Sequence, residues 1–384
     1  MAKSWLVAVL ALSSLTWNLG CTQQPGPGTR PFYMGFTGWP SDASLEGFQT
    51  AAEFVQAHAD IVSVMMIGGL PWPEAFAGSE FSKNVRDAIN YRPPAGKKLF
   101  VSISPLNDFR TGMAPYWGEH DNLPLPPDWA NLTLNDPKVK KAFLAFCIRV
   151  ADAMHPDYLA IGVEDNVLLS KDPTKWSQLK ELHRETYTAL KKRYPKLHVF
   201  FTTDVGHYLR FAKEAKDKDQ AGEVGELMRS SDLFAMSFYP YGNIPFDSAV
   251  APGFLDFARK FGKPIAVSES GMTSRDVTIK TFNLTLRGTE DQQKRFASFL
   301  LDFAARDRYE FVINFATTDF EKLAAKLPLP TGDLALIWAY TGLQRSDKTP
   351  KPALSVWDEW FRRRYLKPRA GRAASLSADT GRRT

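Results

Sequence analysis

Two glutamates close short apolar runs in this 384-residue chain, Tyr158-Leu-Ala-Ile-Gly-Val-Glu164 and Pro264-Ile-Ala-Val-Ser-Glu269. Runs of this length, rich in branched residues and bounded by turn signals, read as buried parallel strands. Packing gives no reason to end such a strand on an acid, because a buried carboxylate needs a partner. Two carboxyl groups facing one bond can divide the work of cleaving it. One protonates the departing oxygen while the other acts as nucleophile, which is chemistry suited to sugars. Taken singly, Glu269 also fits a loop cap and Glu164 a helix-start acid. Their matching positions at two strand ends favour the pair.

The elements that must position them are legible by period. Strand-like runs begin near Phe32, Ile61, Leu99, Tyr158, Val199, Leu233, Pro264 and Phe311, with helical patterns between. Leu45, Phe48, Ala52 and Val55 form one helical stripe, and Val139, Phe143, Phe146, Val150 and Met154 another. Asp136-Pro137 supplies an N-cap followed by proline at the first helical position. Eight alternations of strand and helix predict an α/β chain folded as a single (β/α)8 TIM barrel over residues 31–364. Connections from helix to strand are terse. Those from strand to helix are long at 106–135, 240–252, 271–289 and 318–350, which places the working face at the C-terminal ends of the strands.

Strand exits then read as an inventory: Trp39, Trp72, Asn107-Asp108, Glu164-Asp165-Asn166, Asp204, Tyr239-Pro-Tyr241, Glu269 and Thr318-Asp319. Aromatic faces stack on the C–H surface of a sugar, and carboxylates and amides bind its hydroxyls. Trp39, Trp72, Asn107, Asn166, Asp204, Tyr239 and Tyr241 are therefore the expected substrate contacts. Trp338, in the long last loop, fits a sugar platform or the core equally well. Trp176 and Trp357 fit the core. Competing barrel chemistries lack their residues. Lys97, Lys98 and Lys263 sit at strand entrances, the wrong end for a Schiff base. Of six histidines only His207 follows a strand exit, so no metal site is expected. No glycine-rich phosphate cradle follows the last two strands.

Charge is unevenly spread. The formal net charge is +6, but eight basic residues lie in 362–384, with Asp379 as their only acidic company. Setting those nine residues and Lys3 aside, the 48 basic and 42 acidic residues fall to 39 and 41, a net charge of −2. That body offers no basic face for nucleic acid. Residues 365–384 read as a basic, disordered tail. Residues 1–21 read as an export signal, with Lys3 before an apolar stretch too short to span a membrane. Leu19-Gly20-Cys21 resembles a bacterial lipobox, which makes Cys21 the expected lipidation site and 22–30 a flexible tether. An exported, membrane-anchored monomer follows, touching the membrane only through its lipid. Cys147, in an apolar helical stretch, reads as a buried, inert thiol.

The motifs Ala160-Ile-Gly-Val-Glu-Asp-Asn166, Ser237-Phe-Tyr-Pro-Tyr241 and Ser268-Glu-Ser-Gly271, in this order, resemble clan A glycoside hydrolases, nearest the endo-β-1,4-galactanase-like family. The resemblance spans the barrel, though each motif is short. It implies a retaining glycoside hydrolase of carbohydrate metabolism, acting without cofactor on a β-linked polysaccharide or oligosaccharide by double displacement. Glu164 matches the acid/base, Glu269 the nucleophile, and Tyr239 the tyrosine that holds the nucleophile. The chain departs from the clan at Val163, where an asparagine usually binds the sugar 2-hydroxyl, and in having no evident arginine near the start of the site. The departures leave a rival expectation, a catalytically weak or inactive barrel that binds glycan at the cell surface.

Overall fold

The computed structural model describes residues 28–366 apart from 67, 242, 243, 245, 247–252, 328 and 330. The expected signal, Cys21 and most of the basic tail lie outside the described residues. Eight barrel strands follow in order: β1 Tyr33–Thr37, β2 Ile61–Met66, β3 Lys98–Ile103, β4 Tyr158–Ala160, β5 His198–Phe200 continuing as Thr202–Asp204, β6 Phe234–Phe238, β7 Ile265–Ser270 and β8 Phe311–Ala316. All of their pairings are parallel. The first half of β5 pairs with β4 and the second with β6, so the chain itself closes the ring at Phe201. The (β/α)8 barrel expected from the alternation of elements is the fold observed.

Branched and aromatic side chains plug the barrel. Phe100, Phe200 and Phe311 meet at ring separations of 5.3–6.3 Å, with Ile61, Ala160, Ala235, Ala266 and Ile313 around them. Burying each such phenylalanine contributes about 1.5–3 kcal/mol. This apolar layer separates the strand entrances from the mouth above.

The helix Pro137–Met154 begins as its sequence suggests. Asp136 accepts the Lys138 N–H at 2.7 Å, and the stripe Val139, Phe143, Phe146, Val150 and Met154 is buried. Cys147 is buried in the same helix, where lack of solvation pushes its thiol up and keeps it protonated. The helix Leu45–His58 forms where expected but turns a different face inward. Leu45, Phe48 and Ala52 are exposed, while Gly47, Ala51, Phe54 and Val55 are buried. Two apolar stripes compete on this helix. Phe54 wins by packing edge-on against Phe36 at 5.2 Å, and glycine at 47 permits close approach to the Asp42 backbone.

Below the barrel the two ends of the described segment meet. Thr29–Arg30 pairs in parallel with Arg364–Tyr365, and Arg30 is buried in an ion pair with Asp60 at 2.7 Å. Thr29, Arg30 and Tyr365, at the edges of the expected tether and tail, are thus paired into a short ladder.

Candidate active site

The third strand-exit loop and the exits of β4, β5, β6 and β7 bring polar groups together. After β4, pairing with β5 continues: the Ile161 N–H donates to the Phe200 carbonyl at 2.8 Å and the Thr202 N–H to Gly162 at 3.0 Å. The chain then bends sharply. Glu164 has φ +52°, a left-handed conformation that costs a non-glycine residue about 1 kcal/mol or more. Its N–H donates to Thr202 Oγ1 at 2.8 Å, which fixes the bend. Gly162 is required beneath it, because a Cβ there would lie 2.0 Å from Asp165 Oδ2. Asp165 is folded back under the turn, fully buried, and finds no hydrogen-bond partner for either oxygen among the described residues. Burial pushes its carboxyl up to about 7.

Glu269 reaches the mouth through an irregularity. Along β6 and β7 the register runs Ala235 with Ala266 and Met236 with Val267, then jumps to Ser237 with Glu269. Ala266 faces the barrel plug and Val267 the outer core. Strict alternation would send residue 269 outward with 267. The extra residue at Ser268, whose hydroxyl donates to the Met236 carbonyl at 3.1 Å, restores it to the inside. Asp204, Ser237 and Glu269 then occupy one row across β5, β6 and β7.

The carboxyls of Glu164 and Glu269 feel each other's charge. Burial raises both. Glu164 raises Glu269 further, against the pull of the Tyr239 hydroxyl, which donates to Glu269 Oε2 at 3.0 Å. Arg110 opposes the rise at Glu164, with Nη2 at 3.2 Å from Oε2. The charge on one carboxyl makes ionising the other less favourable, so the two titrations are linked. Tyr239, raised well above its ordinary range by burial and the charge of Glu269, stays protonated and remains a donor.

Asp204 is committed to its neighbours. Its Oδ1 accepts the backbone N–H and the Nδ1 of His207, both at 2.6 Å. His207 Nε2 lies 3.1 Å from Glu214. Burial pulls the imidazole down, but Asp204 and Glu214 outweigh it and the net effect favours the charged ring.

Aromatic rings line the opposite side. Phe315, near the end of β8, stands 6.2 Å from Trp39, 6.1 Å from Tyr239 and 5.7 Å from Trp338. Tyr241 lies 6.0 Å from Tyr239 and donates to the Ile337 carbonyl at 2.8 Å. The indole N–H groups of Trp39 and Trp338 are buried and meet no acceptor among the described residues.

Two expected substrate contacts are buried away from the mouth, and a third has its amide engaged within its own loop. Trp72 is 1% exposed, stacked on Trp129 at 5.8 Å with its N–H on the Ala114 carbonyl. It starts the helix Trp72–Ala77, which carries its ring into the core. Asn166 is wholly buried; it bridges the Asp204 backbone and Gln220, tying the β4 exit to the β5 exit. Asn107 spends its amide on Thr111 and so shapes its own loop. No group of metal-ligating side chains occurs among the described residues, and no described helix is long and apolar enough to cross a membrane.

No protein-family model matches this chain, and no curated protein does. Solved structures do. GH5_18 from Streptomyces cattleya in complex with GlcNAc superposes with a TM-score of 0.57 at 15% identity, over 90% of this chain and 83% of that one. Native xylanase 10B from Thermotoga maritima gives 0.55 at 14% identity, covering 86% and 95%. An exo-β-1,4-mannosidase from Opitutaceae bacterium strain TAV5 gives 0.54 at 16%, covering 88% and 61%. The shared feature is the fold, a (β/α)8 barrel.

Four residues around the mouth were not among the expected site residues: Arg110 and His207, whose charges act on Glu164, Glu214, which meets His207, and Phe315, which packs near Tyr239. Arg110 lies in a long loop whose path no periodicity records. His207 was noticed only as a histidine beyond a strand exit. Phe315 lies inside the last apolar run, Phe311–Ala316, with no local signal to set it apart from the rest of that strand.

Proposed function

We propose that this protein is a retaining glycoside hydrolase acting on a β-linked polysaccharide or oligosaccharide. The observation that carries the reading is the glutamate pair: a carboxyl at each of the exits of β4 and β7, Glu269 buried and held by a tyrosine, Glu164 partly exposed at the mouth and held by Arg110. In this reading Glu269 attacks the anomeric carbon while Glu164 gives its proton to the leaving oxygen. Water then attacks the glycosyl-enzyme, Glu164 takes the water proton, and Glu269 leaves as a carboxylate. Tyr239 steadies Glu269, Asp204 lies beside Glu164, and Trp39, Tyr241, Phe315 and Trp338 offer ring faces to the sugar. Several structural neighbours are glycosidases by name, which supports the class. The short motifs favour galactanase-like specificity within it.

A fluorinated β-glycoside with a good leaving group tests this directly. Intact-protein mass spectrometry should find one added glycosyl group, and peptide mapping should place it on Glu269. Labelling that persists in Glu269→Gln, or none with any of a panel of β-sugars, defeats the assignment. The rival reading, a glycan-binding barrel with little catalysis, draws on Val163 and on Arg110 engaging Glu164. It predicts a rise in Tm with one glycan and no turnover of it.

We also propose export and acylation at Cys21, from the lipobox-like sequence. Mass spectrometry of the mature N-terminus decides this: a diacylglyceryl mass on Cys21 supports it, and an unmodified terminus beyond that residue removes the lipid anchor and reduces the proposal to a periplasmic or secreted protein.

A further inference from the structure

Arg110 was no part of the expected machinery, yet its loop is built around it. The Arg110 N–H donates to the Asn107 carbonyl at 2.9 Å, and Arg110 itself is left-handed with φ +52°. Asn107 braces the turn through both its amide oxygen and nitrogen to Thr111. Lys171 and Lys175, from the two helices after β4, donate to the Phe109 and Thr111 carbonyls at 2.6 and 2.7 Å. The guanidinium projected by this turn is nearly covered. Its Nη1 donates to the Asp108 carbonyl at 2.6 Å, its Nε to the Val163 carbonyl at 2.7 Å, and its Nη2 to Glu164. One rigid fork therefore grips the residue before Glu164 and the carboxyl of Glu164 together.

Resting on the acid/base assignment of Glu164 given above, we propose that Arg110 is a positioning residue that aims this carboxyl and sets how readily it gives up its proton. Glu164 must be an acid in the first step and a base in the second, so neither protonation state can be held too strongly. The groups facing it oppose one another. Glu269 from β7, Asp204 from β5, the adjacent Asp165 and burial all favour keeping the proton. Tyr239 and Tyr241 from β6 are neutral neighbours. Two cations favour releasing it: Arg110 and His207. His207 already faces two carboxylates, Asp204 and Glu214. Arg110 is the cation in direct contact with Glu164, on a side chain only 13% exposed, where water screens little. Its grip on the Val163 carbonyl also opposes relaxation of the left-handed bend that points Glu164 into the mouth. A lysine can supply the charge but not the two-pronged geometry.

The test compares wild type, Arg110→Met and Arg110→Lys in the full chain, with a poor-leaving-group β-glycoside for the pH profile, a dinitrophenyl β-glycoside for the burst, and 13C-carboxyl-labelled glutamate. In Arg110→Met the alkaline limb of kcat/KM should move upward by about one pH unit, the size expected for losing an opposite charge in contact. Water attack should become the slow step. A pre-steady-state burst should then appear, relieved by azide, which needs no general base. Arg110→Lys should keep the limb near its wild-type position while kcat falls. If Arg110→Met loses activity and Tm together, with unmoved limbs and no burst, Arg110 is merely a loop staple and the proposal is overturned. If wild type cleaves no glycoside, the glycosidase assignment fails on its own. The carboxyl signal that disappears in Glu164→Gln then decides the rest: an upward titration shift in Arg110→Met upholds the control of Glu164 by Arg110, and an unmoved one refutes it.

Discussion

The mouth of the barrel has two unlike halves. From the β3 loop to β7 it is an arc of hydrogen-bonded ionisable groups: Arg110, Glu164, Asp204, His207 and Glu269. Positions there are fixed by named partners, a strained bend and a strand irregularity. From β8 to β1 it is an arc of rings, Trp39, Phe315, Phe320 and Trp338, placed by packing, with two indole donors that meet no acceptor among the described residues. The contrast separates two demands. Bond cleavage needs atoms placed to within a few tenths of an ångström, which hydrogen bonds and backbone constraints provide. Holding a sugar ring needs area and shape, which aromatic packing supplies with more tolerance.

Substitutions in the two halves should differ in kind as well as size. Glu269→Gln should reduce hydrolysis by about 10^4-fold or more while glycan affinity is nearly unchanged, as calorimetry on the inactive variant would show. Glu164→Gln should cost about 10^2- to 10^4-fold on substrates with poor leaving groups and much less on activated aryl glycosides. Equal losses on both kinds of substrate would contradict the division of labour between the two acids. In the ring arc, Trp338→Ala should act chiefly on KM, raising it up to about tenfold, since a lost ring contact costs about 0.5–1.5 kcal/mol beyond area. A large fall in kcat with KM unchanged would mean that the rings position the chemistry as well.

Asp165 sharpens the comparison through stability. A buried acid raised from its ordinary 3.8 to about 7 keeps its proton in the folded state after the unfolded chain has lost it. Stability therefore falls as pH rises from about 4 to about 7, and the full penalty is present above that window. Asp165→Asn should remove this dependence, so its Tm should gain on wild type steadily between pH 4 and pH 7. A constant difference across that range would show that Asp165 does not titrate there. The smallest effect is expected at Val163, 5% exposed behind Glu164. Val163→Asn should raise the rate on an accepted 2-hydroxy sugar by an amount worth about 1 kcal/mol, if the amide reaches that hydroxyl. A slower variant would show that valine is no handicap.

The eight strands and the positions of Glu164 and Glu269 at two of their exits were legible because branched apolar runs, turn residues and a misplaced acid are all local signals. What lay beyond was decided by direction. A residue at a strand exit points into the mouth or back under the helices, and Trp72 and Asn166 went the second way for reasons set by the next helix and by Gln220. The helix Leu45–His58 was placed correctly but rotated, because its inner face was chosen by Phe36, a residue of another element. Nor does strand alternation, read along the sequence, reveal that β7 must slip by one residue before Glu269 can face inward. Arg110 was illegible for a related reason: its partners lie more than fifty positions away, across a loop with no period.

The short ladder that joins Thr29–Arg30 to Arg364–Tyr365 lies at the strand entrances, on the far side of the aromatic plug from the mouth. Anything joined to either end of the described segment departs from the same pole. A bead, an affinity handle or a partner enzyme linked there would leave the opposite pole open, so the barrel could be arrayed densely on a solid support with its mouths outward. Under the proposed function, an insoluble β-glycan, which cannot diffuse into a crevice, would then meet the arc of rings first.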